Sequence, residues 1–342
     1  MAKKPKTQQS QQPGAFSTSL PASPELYKVS VRSELQKLGQ AKDKARQLIL
    51  SESPAEPADI EILGLDLTVS EDKALSALQI LLHRTGYQGN LQAEEVDSLA
   101  YKGHYKLPRL QFTPSEYFEA YGLRQYGSGY YGKQRKEAEE ALKSLAEKPR
   151  LIIYKRASWH GNGKGRKKLY DVIRHRGPII QLLEGYKNLE EQEAARLEAG
   201  EELPGRVTRL AVQFGPLIVD DIETFFLLKP ATLHREIEKH LGAKRISRSV
   251  SLFIQWLLTM NLRTVTVARE DLARKLRLNN FIEQRKPSQL KLQLQECFET
   301  AKALEYLLEY TEDDFGMLTF RLNPERCKRL GQKEDKETKP PN

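Results

Sequence analysis

Apolar residues recur at helical spacing in several stretches of the chain, and β-type alternation separates them, so the pattern predicts a mixed fold. Ala74, Leu75, Leu78, Leu81 and Leu82 form one buried helical face. Ser70 is expected to cap this helix, and Glu71 and Asp72 suit its positive end. Ahead of it, Ile60 to Thr68 alternates around Gly64 and reads as a strand. Leu107 to Phe112 reads as a short strand that ends at Thr113-Pro114-Ser115-Glu116, where a Thr N-cap, a Pro in the first turn and a Glu three positions on make a capping box. The helix so started holds Tyr117, Phe118, Ala120 and Tyr121 and stops at Gly122. A further helix, Gly132 to Ala146, turns Ala138, Ala141, Leu142 and Leu145 inward and carries Lys133, Gln134, Arg135 and Lys136 in its first turn. Cations there oppose the helix dipole by a few tenths to about 1 kcal/mol each, a cost that is tolerable where an anion will sit. After Pro149 the period changes. Leu151 to Trp159 and Leu169 to Arg174 read as two strands around the turn Gly161-Asn162-Gly163-Lys164-Gly165.

The same plan returns later in the chain. Arg263 to Val267 reads as a strand, Arg269 to Leu278 as a compact helix, and Lys286-Pro287-Ser288 opens a longer helix through Leu304. Tyr306 to Tyr310 and Met317 to Leu322 then make a hairpin, and helices at Ala231 to Leu241 and Ser249 to Leu262 lead into the set. Both copies run strand, helix, turn, helix, hairpin, which predicts an α+β, helix-rich chain of tandem winged-helix domains. The expected divisions are a disordered basic tail at 1–24, an N-terminal winged-helix domain at 25–188, an acidic linker at 189–206, a C-terminal winged-helix domain at 207–330 and a disordered tail at 331–342. Leu189 to Pro204 sets six Glu against the single Arg196, the reason for placing a solvated boundary there.

Composition narrows the partner. Lys plus Arg number 55 against 46 Asp plus Glu, a formal charge of +9, which favours a polyanion. From Lys148 to Tyr170 there are eight Lys or Arg and no carboxylate. No apolar run approaches the roughly 18 to 20 residues that span a bilayer, and the N-terminus lacks the apolar stretch of a secretory signal. The reading is therefore cytoplasmic, nucleoid or plasmid associated, with no membrane partner. Cys297 and Cys327 have no CxxC spacing, which excludes a thiolate zinc site, and no metal or cofactor is expected.

The chemistry that remains is recognition of duplex DNA. In a winged helix the second helix of the pair enters the major groove and the hairpin lies against the backbone. Lys133, Gln134, Arg135 and Lys136 would read bases, while Lys155, Arg156, Lys164, Arg166, Lys167 and Lys168 of the hairpin would neutralise phosphates. The alternative is that this run is a solvated basic loop. In the second domain Arg285, Lys286, Gln289, Lys291 and Gln293 lie on or near the corresponding helix, but the hairpin turn holds Glu312, Asp313 and Asp314. That domain either binds through its helix alone or faces a protein. Tyr126, Tyr130 and Tyr131 either stack on unpaired bases or pack as a hinge. Gly161 to Gly165 lacks the order of a phosphate loop, no HExxH or nucleophile elbow is present, and Asp220, Asp221 and Glu223 read as helix-capping residues sooner than as metal ligands. No catalytic residue is assigned, and the chain reads as a non-enzyme.

Several segments resemble a known family. Ile62-Leu63-Gly64-Leu65-Asp66-Leu67, Ala74 to Gln79, Tyr87-Gln88-Gly89-Asn90, Ser115 to Gly122, Lys133 to Leu145, Pro178 to Tyr186, and Ile218 to Leu241 with Lys229-Pro230-Ala231 are similar to the second plasmid-encoded protein of chlamydiae, the virulence-plasmid protein family. The likeness spans about Asp59 to Leu308 and implies a product required for plasmid maintenance, without supplying a mechanism. Separately, two winged helices in one chain resemble theta-type plasmid replication initiators, which bind repeated origin sequences. That likeness implies origin repeats as the partner, with a homodimer and host replication proteins as further partners. The alternatives are a plasmid transcriptional or partition regulator, and a virulence or protein-interaction factor without DNA binding.

Overall fold

The computed structural model describes residues 25–30, 34, 37–38, 60–63, 66–85, 94–97, 104–107, 109–127, 129–160, 167–203, 205–215, 218, 226–242, 246–260 and 262–327; for 60–63, 94–97, 104–107, 150–160, 167–176 and 226 this is the backbone alone. In chain order the elements are β1 (Leu26–Ser30), β2 (Ile60–Leu63), α1 (Val69–Arg84), β3 (Glu94–Asp97), β4 (His104–Leu107), β5 (Arg109–Phe112), α2 (Pro114–Tyr121), β6 (Gln125–Tyr126), β7 (Gly129–Tyr130) and α3 (Gly132–Glu147). They continue with β8 (Arg150–His160), β9 (Lys167–Gly177), β10 (Ile180–Tyr186), α4 (Glu191–Glu198), β11 (Val207–Phe214), β12 (Phe226–Pro230), α5 (Leu233–Leu241) and α6 (Arg248–Thr259). The last are β13 (Thr264–Ala268), α7 (Arg269–Lys275), α8 (Asn279–Glu283), α9 (Pro287–Ala303), β14 (Leu307–Glu312) and β15 (Met317–Leu322). The chain is a mixed α+β protein. The expected tails at 1–24 and 331–342, the turn at 161–166 with Lys164 and Arg166, and the residues at 220–223 lie outside the described residues.

The first unit is α1, β5, α2, α3, β10 and β11. Its sheet has the order β10-β11-β5, all antiparallel. The capping box at Thr113 is present, and Gly122 ends α2 at φ 93, a left-handed conformation that suits glycine. α1 is capped two residues earlier than expected: Thr68 is the N-cap, paired reciprocally with Glu71. Ser70 instead hydrogen-bonds Glu137 on α3 at 2.6 Å. The capping oxygen must sit ahead of the first helical residue to reach the third amide, and Thr68 does so where Ser70 is already helical. Leu75, Leu78 and Leu82 of α1, Tyr117 of α2, Leu142 and Leu145 of α3, and Leu110, Val212 and Phe214 of the sheet share one buried core.

Two expectations about this unit are corrected. The acidic stretch at 189–206 does not separate domains. The strands that flank it pair with each other from Ile180 opposite Phe214 to Tyr186 opposite Val207, so it is an insertion at the tip of the β10–β11 hairpin. The basic hairpin is not the hairpin of this sheet either. β8 and β9 pair along their length, and their other neighbour is β2, through Ile60 opposite Arg156 to Leu63 opposite Ile153. The long β8–β9 ribbon, with β2 at its edge, therefore stands in the chain between α3 and the sheet strand β10. Leu210, Val212 and Phe214 alternate inward with period two, and the carboxylates ahead of them mask this signal in the sequence.

The second unit repeats the plan with α6, β13, α7, α9, β14 and β15, with the short α8 between α7 and α9. Its sheet order is β13-β15-β14. In both units the strand after the lead helix pairs with the last strand, and the last strand pairs with the one before it. Phe253, Trp256, Phe298 and Phe320 meet in the core with ring centroids 5.1–5.8 Å apart. Cys297 is buried among them, and desolvation pushes its thiol up to about 12, which leaves it an inert thiol. The strand that opens the described chain belongs here, not to the first unit. β1 pairs with β12, and Tyr27, Val29 and Leu38 join the core of the second unit.

α1 is buried along most of its length because the two units meet across it. Its leucines enter the first core, whereas its polar side faces an ionic cluster shared with β12, α5 and α6. Lys37 lies 2.8 Å from both Glu34 and Asp72, and Lys229 reaches Glu34 at 3.4 Å, Ser76 at 3.3 Å and Gln255 at 3.3 Å. Gln255 donates to Asp72 at 2.6 Å. His234 Nε2 is 3.6 Å from Asp72 and 3.5 Å from Ser76 Oγ. Burial would raise the Asp72 carboxyl, but Lys37, Lys229 and His234 outweigh it and hold it well below the carboxylate range. Burial, opposed by the Asp72 charge and aided by the lysines, takes His234 down to about 3, so its ring is neutral near pH 7. The cavity beside Lys37 and Asp72 holds only about 10 Å³, room for one water at most. The cluster is a joint between units and has no space for a substrate.

Candidate nucleic-acid interface

α3 and α9 are the longest helices of their units after the lead helices are set aside, or longer, and each turns one face to solvent. On α3 the first turn has no side-chain cap, and Lys133, Gln134 and Lys136 are exposed. Arg135 is half-buried, 3.4 Å from Glu139, and Lys136 is 3.8 Å from Glu140. Of the tyrosines before this helix, Tyr130 packs edge-on to Phe118 with centroids 5.2 Å apart. Tyr126 and Tyr131 remain 63% and 62% exposed beside the helix start.

The acidic insertion folds back onto the same helix. Glu202 lies 2.6 Å from Lys143, and Gly205 sits against the Arg135 guanidinium, 3.7 Å from where a Cβ would stand. Leu203 is buried and anchors the lobe, and Glu193 pairs with Arg206 at its base. Burial would lower the Lys143 ammonium, but the hydrogen bond and charge of Glu202 raise it overall. Burial also raises Glu139 against the pull of Arg135 and Lys143. An open groove of about 500 Å³ runs between the end of α3, β10 and this lobe, lined by Lys143, Glu147, Ile180, Leu183, Glu184 and Glu202. Arg135 and Lys143 thus share an α3 face with carboxylates, and Lys136 has Glu140 beside it.

The ribbon β8–β9 carries the run of cations that contains no carboxylate from Lys148 to Tyr170. Its register sets Lys155 opposite Val172, Arg156 opposite Asp171, Trp159 opposite Lys168 and His160 opposite Lys167. The side chains of Lys155, Arg156, Lys167 and Lys168 are outside the described set.

In the second unit, Arg285, Lys286, Gln289 and Lys291 are all exposed. Gln284 through Gln295 contains no carboxylate. On α7, Arg274 is 3.1 Å from Asp271, an i,i+3 pair of ordinary helix-surface spacing. The acidic turn of the β14–β15 hairpin is built into the backbone: the Asp313 carboxylate accepts from the amides of Phe315 at 3.0 Å and Met317 at 2.8 Å, and Glu312 pairs with Arg269 at 3.0 Å. Both hairpin tips are therefore acidic.

Among the described residues no group of His, Cys, Asp and Glu could hold a metal ion, and no helix is long and apolar enough to cross a membrane. The fold and this surface define a class, an α+β protein made of two helix–strand–helix–helix–hairpin units joined through a buried ionic cluster. The chain belongs to the family of the chlamydial virulence plasmid protein pGP2-D. It is 30% identical to that protein of Chlamydia psittaci over 310 residues, covering 83% of this chain and 87% of the relative. The Chlamydia muridarum protein of the same name is 29% identical over 305 residues, with 81% and 83% covered. The Chlamydia trachomatis protein is 29% identical over 307 residues, with 82% and 84% covered. No protein-family profile matches the chain, and no solved structure matches it.

Proposed function

We propose that this protein is a sequence-specific double-stranded DNA-binding protein, without enzymatic activity, that serves plasmid replication initiation or maintenance by binding origin repeats through two winged helices. The observation that carries the reading is the sheet order repeated in both units, first strand beside last and last beside second, behind a helix pair whose second member faces solvent. That arrangement presents a helix to the major groove. The name of the relatives, virulence plasmid protein, supports a plasmid role.

Contacts divide by chemistry. Exposed Lys133, Gln134 and Lys136 on α3, Arg285 and Lys286 just ahead of α9, and Gln289 and Lys291 on α9 supply base and phosphate donors. The β8–β9 ribbon supplies a second kind of contact, since its cations suit phosphates. The hairpin tips, being acidic, stay off the backbone. Footprinting of the full chain on plasmid DNA tests the reading: protection of iterated sites supports an initiator, whereas protection of one promoter assigns the same contacts to a regulator. A pull-down in which plasmid DNA is not retained and lysate proteins are retained would point to the protein-interaction alternative, which the acidic lobe and its groove favour.

A further inference from the structure

Leu292 stands out on α9. It is 67% exposed, yet it lies at the middle of the solvent face of the helix, opposite the buried Leu290, Leu294, Cys297, Phe298 and Ala301. At 100° per residue its nearest neighbours on that face are Gln289 and Ser288 one turn before and Gln295 and Glu296 one turn after. Single exposed leucines are ordinary on protein surfaces. Two observations distinguish this one. The described face of α3 offers only polar groups at the corresponding place, and on α9 the leucine lies between the carboxamides Gln289 and Gln295, with cations and no carboxylate from Gln284 to Gln295 and Glu296 as the first acid beyond them. A helix face built to solvate itself would place charged pairs here, as α3 does with Arg135–Glu139 and Lys136–Glu140.

The groove edge that matches such a row is specific. Adenine presents N7 as acceptor and N6 as donor, which a carboxamide meets with two hydrogen bonds, and thymine presents its C5-methyl, the one apolar group in the major groove. We infer that α9 reads A·T base pairs, with Leu292 packed on a thymine methyl and Gln289 and Gln295 paired to flanking adenines, while Arg285, Lys286 and Lys291 hold the phosphates on either side. This deepens the DNA-binding reading and rests on it. Glu296 accepts a hydrogen bond from the Gln293 carboxamide, which draws it toward Gln293.

The test uses the full chain and a duplex chosen by selection from a random pool. Thymines in the selected site are then replaced singly by uracil, which deletes only the methyl. The wild type should select an A·T-containing core and lose about fourfold in affinity at one or two of the uracil positions, the value of one buried methyl. L292A, whose thermal melt should match wild type because the residue is exposed, should bind the thymine duplex more weakly and show no uracil effect. Binding by the wild type with no uracil effect, or an equal effect in L292A, would overturn this inference and leave DNA binding standing. Absence of binding to any duplex would overturn the proposed function and the inference together.

Discussion

The Gln255 carboxamide donates to the Asp72 carboxylate at 2.6 Å, joining the lead helix of the second unit to the lead helix of the first inside the protein. Lys37 and Lys229 close the charge balance around it, with Glu34 as the second acid. Paired buried charges are weak evidence of net stability, but an unpaired one is costly. Asp72→Ala takes from Lys37 one of its two carboxylates, leaving Glu34 as the one acid shared with Lys229, and should destabilise the protein by about 3–5 kcal/mol in a urea titration. Asp72→Asn, which keeps an acceptor for Gln255, should cost less. A loss below about 1 kcal/mol for the alanine variant would show that the joint is not under this electrostatic constraint.

The same cluster sets an acid response. His234 is held down to about 3 by burial, opposed by Asp72 and reinforced by Lys229, Lys73 and Lys37. In the unfolded chain the ring takes up a proton below about 6.5. The unfolded state then binds more protons than the native one, so stability falls as pH drops from about 6.5, by up to about 1.4 kcal/mol per unit for this group. Asp72, held low in the fold, adds to the loss once the pH passes below its ordinary value near 4. His234→Gln should flatten the thermal-melt profile between about pH 6.5 and 4.5 and leave the steeper acid limb. Superimposable profiles would refute the assignment.

The acidic lobe offers carboxylates to cations that DNA phosphates would otherwise meet. With α3 in contact with a duplex, Glu201→Gln together with Glu202→Gln should raise affinity, since Lys143 loses its 2.6 Å partner and local repulsion falls. Fluorescence anisotropy at low salt reads the change. Unaltered or weaker binding would place α3 away from DNA.

Removing the four ribbon cations Lys155, Arg156, Lys167 and Lys168 by alanine substitution should weaken binding on every sequence alike. The slope of log affinity against log salt should fall by up to about 3.6, at about 0.9 per phosphate contact. An unchanged slope would detach the ribbon from the backbone.

Much of the fold is legible in local sequence because the signals are local. The Thr113 box, the left-handed Gly122 and the apolar stripe of α9 each decide their own element. Strand partnership was not legible, because it is set by contacts far apart in the chain. β8 and β9 read correctly as a hairpin, but nothing in their residues says that β2 and not β5 lies beside them. The buried face of β11 was hidden by the carboxylates before it, which drew attention to a linker. The exposure of Gln289 and Lys291 followed from spacing, whereas Leu292 is invisible as a surface residue until α9 is seen from outside. The ionic joint was equally hidden, since Lys37, Asp72, Lys229 and His234 look like unrelated surface charges in sequence.

Binding to duplex DNA as a function of salt bears most directly on the central claim. Anisotropy of the full chain on a labelled origin-repeat duplex should give tight binding at about 50 mM salt and a loss of roughly three to five decades by about 200 mM, as expected for some 6 to 10 phosphate contacts. No binding at the lower salt, or an affinity indifferent to salt, would contradict it.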